Sequence, residues 1–353
     1  MSHELLIING QAQMFSVRET PWHGLGHVPM DYPGRDEAMR LAGHDFKVIE
    51  RPIFVAGRER EASDTGFGSR IIVHGDEGIQ VFGAKSGDGF KALIHSNTGD
   101  VFNVVRESYG VVQNDVIWDI VDAIVDEPNV QYETAGTLRG GAVLWVLARV
   151  GDPYWISGDD SATVPYVAVQ TTHDGSGSCK ASAVQTRIVC MNTKHAADAE
   201  SKNSGREFTF RHTKNVMDRI KDAREALGNA RAAVEAYREL AEDLATVQIT
   251  SVQREEFISR FIPMPVAVTG TVITDRVENN VNEARAAVRL ILNGNTTADA
   301  HRFTAYGVWQ AGIEYLDHVR DAQSKDTYFN RSILGQETAK KNLAKLVREV
   351  VAA

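Results

Sequence analysis

The fold is decided by residues 130–193, which read VQYETAGTLRGGAVLWVLARVGDPYWISGDDSATVPYVAVQTTHDGSGSCKASAVQTRIVCMNT. Runs rich in β-branched and aromatic residues alternate here with glycine-rich turns, a pattern typical of antiparallel strands joined by short connections. The pattern predicts four strands, at roughly 130–139, 142–150, 165–173 and 178–190. The nearly continuous apolar run at 142–150 indicates a strand that is buried on both faces.

Helices are predicted on both sides of this stretch. Asn114 is a suitable N-cap, and apolar residues recur behind it at three- and four-residue intervals until Pro128. After the strands, His212 to Thr246 has the apolar spacing of a long amphipathic helix. That helix is expected to pack within the chain, although a contact between subunits is the alternative.

The rest of the chain divides into a β-rich part and a helical part. A short helix at 35–43 precedes 46–107, where short apolar runs alternate with turn signals, including one at 86–89. Further helices are predicted at 251–261, 275–292, 302–322 and 335–351. The predicted class is α+β, with an antiparallel β-meander core packed with helices and a mostly helical C-terminal region. The predicted domains are an N-terminal β-rich region at 1–113, a helix–sheet–long helix core at 114–250, and a helical region at 251–353.

Composition indicates a folded protein of a reducing compartment. Hydrophobic residues make up 43% of the 353 positions and charged residues 24%, which is ordinary for globular proteins. The two cysteines, Cys179 and Cys190, do not make a disulfide framework or a cysteine-rich zinc pattern. Since neither a signal peptide nor a membrane-spanning run is recognisable, the expected location is the cytoplasm.

The charge distribution is uneven along the chain. The formal net charge is -9, which argues against a protein that binds nucleic acid by overall charge alone. Residues 175–214, however, contain 7 Lys and Arg against 3 Asp and Glu. We call this segment the basic tract, and it is the expected working surface, because binding depends on the charges that face the ligand.

Six short strings suggest a family. They are TPWHGLG at 20–26, AMRLAG at 38–43, YGVVQN at 109–114, THDGS at 172–176, RIVCMNT at 187–193 and EYLDH at 314–318. In this order they resemble the landmarks of a phage/plasmid-like protein family of unknown function, whose members are encoded by bacteriophages, plasmids and integrated elements. The resemblance extends over most of the chain, from about residue 14 to about residue 320.

The order of helix, antiparallel meander and long helix is also similar to the core of the single-strand annealing recombinase superfamily. That resemblance implies a homo-oligomer, a ring or a filament, which holds single-stranded DNA in a basic groove without a cofactor or metal. Arg and Lys side chains would follow the phosphates without reading the sequence. The candidates are Arg139, Lys180, Arg187, Lys194, Lys202, Arg206, Arg211 and Lys214.

Two observations limit this interpretation. Lys180, Arg187 and Lys194 differ in strand parity, so a regular strand cannot place all three on one face. The basic tract contains only two aromatic residues, and base stacking would have to come from Tyr132, Tyr166 or elsewhere. The plain alternative is that these basic side chains are solvated and bind nothing.

Other motifs have a structural and a chemical interpretation. His23 and His27 have a metal-ligand spacing only in a helix, which the neighbouring glycines disfavour, so Trp22 is expected to anchor a loop. His173 could be a general base oriented by Asp174, but a hairpin turn is the more ordinary role for this pair.

Three further features have weak chemical interpretations. Cys190 could be a nucleophile, although a buried strand position suits it better. Asp317 and His318 are expected at a solvated helix end. The glycine-rich segments 87–91 and 175–180 lack the spacing of a nucleotide-binding P-loop, although 175–180 could form an anion-binding turn beside Lys180.

The sequence therefore favours a binding protein over an enzyme. The leading hypothesis is a phage- or plasmid-encoded protein that binds single-stranded DNA and promotes annealing in recombination or replication, with a host or phage recombination protein as a further partner. The alternative is a host-interaction or anti-defence protein that binds a host protein or a small nucleotide. A hydrolase or nuclease is supported only by scattered His and Asp pairs.

Overall fold

A computed structural model of the chain describes residues 6–8, 10–17, 26–60, 70–75, 78–125, 130–188, 193–196, 207–216, 218, 228–266, 273–320 and 338–352. No helix within these ranges is long and apolar enough to cross a membrane.

Three short strands and a helix begin the chain. Strands β1 (Ile7–Ile8) and β2 (Gln11–Ala12) form a hairpin, and β3 (Met14–Ser16) joins the main sheet. Helix α1 (Arg35–Leu41) stops just before Gly43, the predicted stop residue, which has φ +70°. A Cβ at this glycine would lie 2.6 Å from that of Gln13, so the chain needs glycine there.

The next four strands form a separate antiparallel sheet. They are β4 (Val48–Arg60), β5 (Arg70–Gly75), β6 (Gly78–His95) and β7 (Val101–Arg106). The predicted turn at 86–89 is wrong, because β6 continues through it. A register shift against β4, between Pro52 and Phe54, accommodates the glycine-rich segment as an irregularity inside the ladder.

The predicted meander is confirmed. Helix α2 (Asn114–Val125) precedes β8 (Tyr132–Leu138), β9 (Val143–Arg149), β10 (Thr163–Thr172) and β11 (Cys179–Ile188). Together with β12 (Thr193–Ala196) and β13 (Glu207–Phe210), they form a seven-stranded sheet in the order β12-β11-β10-β9-β8-β3, with β13 also paired to β11.

Both faces of this sheet are covered. Strand β9 is buried over residues 143–148, as its apolar run predicts. Helix α2 packs against β9 and β10, and its Trp118 is fully buried beneath α1 and the sheet. On the other face, Leu147, Tyr166 and Val184 form a separate apolar cluster.

Within the described ranges, five α-helices follow the sheet. They are α3 (Gly228–Thr246), α4 (Ser251–Phe261), α5 (Asp275–Asn293), α6 (Ala305–Glu314) and α7 (Thr338–Ala352). Helix α6 is buried over 305–313 and contacts each of the other four, so it is the centre of a second core. The described part of the predicted long helix, α3, buries Tyr237 and Leu240 in this core, which confirms packing within the chain for 228–246.

Candidate functional site

The two glycine-rich turns of the meander meet at one end of the seven-stranded sheet. The first, Arg139–Gly141, joins β8 to β9, and the second joins β10 to β11. The His173 amide donates a hydrogen bond to the carbonyl of Ala142 at 2.7 Å. Arg139 has a φ of +52° and places its Nη1 atom 3.8 Å from Oδ2 of Asp174. The sheet therefore holds both turns in one place.

A groove of about 700 Å³ lies beside the second turn. One wall comes from β7 and the loop after it, and the other comes from the segment after β13. The side chain of Asn103 on β7 donates a hydrogen bond to the carbonyl of Asp174, which fixes β7 against the turn. The residues that define the groove are Asn103, Arg106, Tyr109, Gly175, His212 and Lys214.

The groove is positively charged. Arg106 and Lys214 are both exposed, and no carboxylate occurs among the described residues that line it. The carboxylate of the nearby Asp174 has its own partners, since its Oδ1 accepts the Ser176 amide at 2.9 Å and its Oδ2 faces Arg139. A protein with a net charge of -9 thus has a local cationic groove.

The walls of the groove are locked together at Tyr109 and His212. Their rings are stacked, with centroids 4.7 Å apart and planes inclined by 4°. The hydroxyl of Tyr109 donates to the carbonyl of Thr172 at 3.2 Å, and burial raises the pKa of this tyrosine. Between the walls, a Cβ at Gly110 would lie 2.0 Å from the carbonyl oxygen of Thr213, so the backbones can approach only at a glycine.

The predicted basic residues separate into groups. Four of them lie at the groove end of the sheet: Arg139 in the first turn, Lys180 near the start of β11, and Arg211 and Lys214 after β13. Lys180 is half-buried, and its Cα is opposite that of Thr209.

The remaining candidates lie elsewhere. Arg187 and Lys194 are Cα partners in the β11–β12 ladder, and their side chains are outside the described part of the chain. The register from Lys180 to Arg187 is unbroken, so these positions are roughly 23 Å apart along the strand. Lys202 and Arg206 lie outside the described residues.

A buried hydrogen-bond network centred on Asn114 lies next to the second turn. The Asn114 side chain donates hydrogen bonds to the carbonyls of His44 at 3.0 Å and Phe46 at 2.9 Å. Its Oδ1 atom therefore accepts from Nε2 of His173, at 2.8 Å. Burial lowers the pKa of His173 to about 3. With 1% exposure, His173 is a buried packing residue, and it lies in the connection between β10 and β11, as the turn prediction has it.

His44 is neutral for a similar reason. Its Nδ1 accepts the indole N–H of Trp118 at 3.1 Å, so its Nε2 carries the proton and donates to the Gly136 carbonyl at 2.9 Å. Burial lowers the pKa of His44 to about 4 and also lowers that of His95. The three histidines belong to the core, and within the described ranges no group of three or more His, Cys, Asp or Glu residues could hold a metal ion.

Several predictions about binding groups are wrong. The amides of Ser176 and Gly177 are bonded to the side chains of Asp174 and Thr172, so the 175–180 segment does not offer them to an anion. Tyr132 and Tyr166 are 3% and 0% exposed and cannot stack on a base.

Some predicted features lie outside the described residues: Trp22, His23 and Cys190. Asp317 and His318 lie in a five-residue π-helical turn at the end of α6, and their side chains are likewise not described.

Sequence reasoning missed Arg106 and Tyr109 as parts of the site. Arg106 is the last residue of β7 and Tyr109 lies in the loop after it, about 70 positions before the turn that they approach. The YGVVQN string contains Tyr109 and Gly110, but nothing in its spacing indicates that it meets residues 212–213.

A family model described as a domain of unknown function, DUF932, matches residues 101–338. This chain belongs to the DUF932 family. The matched region begins at the first residue of β7 and includes every residue that lines the groove, so both walls are part of the DUF932 domain. Comparison with the curated proteins found no match, and comparison with the solved structures found none either.

Proposed function

We propose that this DUF932 protein binds single-stranded DNA in the groove between β7 and the segment after β13. The single observation that supports the proposal best is that Arg106 and Lys214 line one groove, with no acidic side chain among its described lining residues. Two cations from distant parts of the chain converge there, whereas isolated exposed cations are ordinary on any protein surface.

The chemistry suits a phosphate backbone. Arg and Lys contacts neutralise phosphates and release counterions, which gives affinity without sequence readout. Arg211 is exposed three positions before Lys214, and Lys180 lies on the strand that pairs with β13.

The biological setting follows from the phage/plasmid resemblance and from the meander topology. The proposed protein is encoded by a phage or plasmid, acts in the cytoplasm, and anneals complementary strands during recombination or replication. It would do so as a ring or filament, with a recombination protein of phage or host as a further partner. Mass photometry of the purified protein, with and without DNA, measures the assembly.

Fluorescence anisotropy with a labelled oligonucleotide tests the binding. We expect wild type to bind at low salt and the charge-reversed R106E/K214E variant to lose most of its affinity. The matched control is R40E/K345E, which makes the same charge change at exposed residues away from the groove. Absence of wild-type binding, or equal loss in both variants, would refute the proposal. Annealing of two complementary oligonucleotides then tests the further step.

A second function is favoured by the size of the groove. A volume of about 700 Å³ lies in the range of small-molecule sites. A host-interaction or anti-defence protein that sequesters a small nucleotide would use the same two cations. Isothermal titration with mononucleotides and cyclic dinucleotides distinguishes this function, since it predicts saturable binding that excess oligonucleotide does not displace.

A further inference from the structure

Cations alone do not explain a preference for single strands. Duplex and single-stranded DNA both present phosphates, and sequence-tolerant single-strand binding usually adds aromatic side chains on which unpaired bases stack. Tyr132 and Tyr166 are buried. Tyr109 is covered by His212 and bonded through its hydroxyl, so its ring is part of the groove wall.

Phe90 is an exposed aromatic residue beside Arg106, which is one of the residues that line the groove. It lies on β6, directly opposite Arg106 on β7, and cross-strand partners share a face of the sheet. Its exposure is 44%, and the Cζ atom of Arg106 is 5.9 Å from its ring centroid. Arg106 is therefore both a lining residue of the groove and the neighbour of this ring.

The surroundings leave the ring accessible. The next cross-strand pair on the same face is Ala92 and Val104, and both side chains are short. Val104 is itself 46% exposed. An aromatic ring that stands above short neighbours on a sheet surface can accept a planar group without rearrangement of the backbone.

We infer that Phe90 is the base-stacking platform of this site, with Arg106 holding the phosphate of the stacked nucleotide. The inference depends on the proposed binding of single-stranded DNA and adds a reason for strand preference. A base in a duplex is already stacked on its neighbours, so only an unpaired base could use the Phe90 ring.

The test compares F90A and F90W with wild type, using anisotropy with a thymidine oligonucleotide and with a duplex of equal length. Loss of one base–aromatic stack should weaken single-strand binding by F90A roughly 5- to 150-fold and leave duplex binding within about 2-fold. F90W should retain wild-type affinity, because tryptophan also stacks.

A matched control is F303A. Phe303 is also 44% exposed, and the Cζ atom of Arg254 is 5.2 Å from its ring centroid, but it lies in the helical region. F303A should bind as wild type does. F90L, which keeps apolar bulk without an aromatic face, should lose affinity as F90A does and provides the same test if F90A unfolds.

The outcomes are distinguishable. If wild type does not bind single strands, the proposed function and this inference both fail. If wild type binds and F90A and F90L bind equally well, only the inference fails. An equal loss on single-stranded and duplex DNA also overturns it, because that result indicates damage to the position of Arg106 rather than loss of stacking.

Discussion

Acidification from pH 7 to pH 5 should destabilise the fold through its buried histidines. Burial lowers the folded-state pKa of His44 to about 4 and that of His173 to about 3, against 6.5 in the unfolded chain. Below pH 6.5 these two histidines become protonated in the unfolded chain but stay neutral in the folded chain. Stability from these groups is therefore complete above pH 6.5 and is lost as the pH falls toward 4 and 3.

The magnitude follows from the width of this window. At pH 5 the solution is about 1.5 pH units below the pKa of an unfolded histidine, and each pH unit corresponds to about 1.36 kcal/mol for each histidine. Each of the two contributes about 2 kcal/mol, and together they remove about 4 kcal/mol. The pKa values of His95 and His212 are also lowered by burial, so they act in the same direction.

Urea unfolding at pH 7 and pH 5 measures the effect. The indoles of Trp118 and Trp145 are buried, so their fluorescence reports on the core. The variant H173Q is the control, since it should show about 2 kcal/mol less loss between the two pH values than wild type. A wild-type unfolding free energy that differs by less than about 1 kcal/mol between pH 7 and pH 5 would refute the reasoning.

Three substitutions test other parts of the structure by urea unfolding. N114A should cost about 3 to 5 kcal/mol, because it leaves three buried polar groups without their partner, whereas the exposed N215A should cost less than about 0.5 kcal/mol. G110A should cost at least about 2 kcal/mol and weaken oligonucleotide binding, since its Cβ would collide with the Thr213 carbonyl. T250A should cost about 1 kcal/mol, because Thr250 forms the capping box of α4, and an unchanged midpoint would contradict that role.

The meander was predictable because each strand carries its own signal. Apolar runs of strand length lie between glycine-rich turns, and the burial of β9 on both faces is visible in the composition of 143–148. Helices α2, α4 and α5 were predictable from apolar periodicity in the same way.

The predicted turn at 86–89 failed because local turn chemistry competes with pairing. Strand β4 provides hydrogen-bonding partners on both sides of this segment, at Lys85 and Ser86 and again at Lys91. The glycines therefore form an irregularity within the β4–β6 ladder, and the strand continues past them. A single sequence does not show which strand will be the neighbour, and the choice between a turn and a bulge depends on that neighbour.

The site was only half predictable. Lys214 belongs to the basic tract, and Gly175 belongs to a recognised turn. The place of Arg106 in the groove could not be predicted, because it depends on the contact between Asn103 and Asp174, which are 71 positions apart. The turn position of His173 was predictable, but its burial was not, because that burial comes from Asn114 and the aromatic rings around it.

The salt dependence of single-strand binding tests the central claim most directly. Each phosphate contact adds about -0.7 to the slope of log K against log salt concentration for single strands. If Arg106 and Lys214 contact phosphates, R106A/K214A should have a slope about 1.4 less negative than wild type, and R40A/K345A should match wild type. A slope that is the same in wild type and R106A/K214A would contradict the assignment of DNA to this groove.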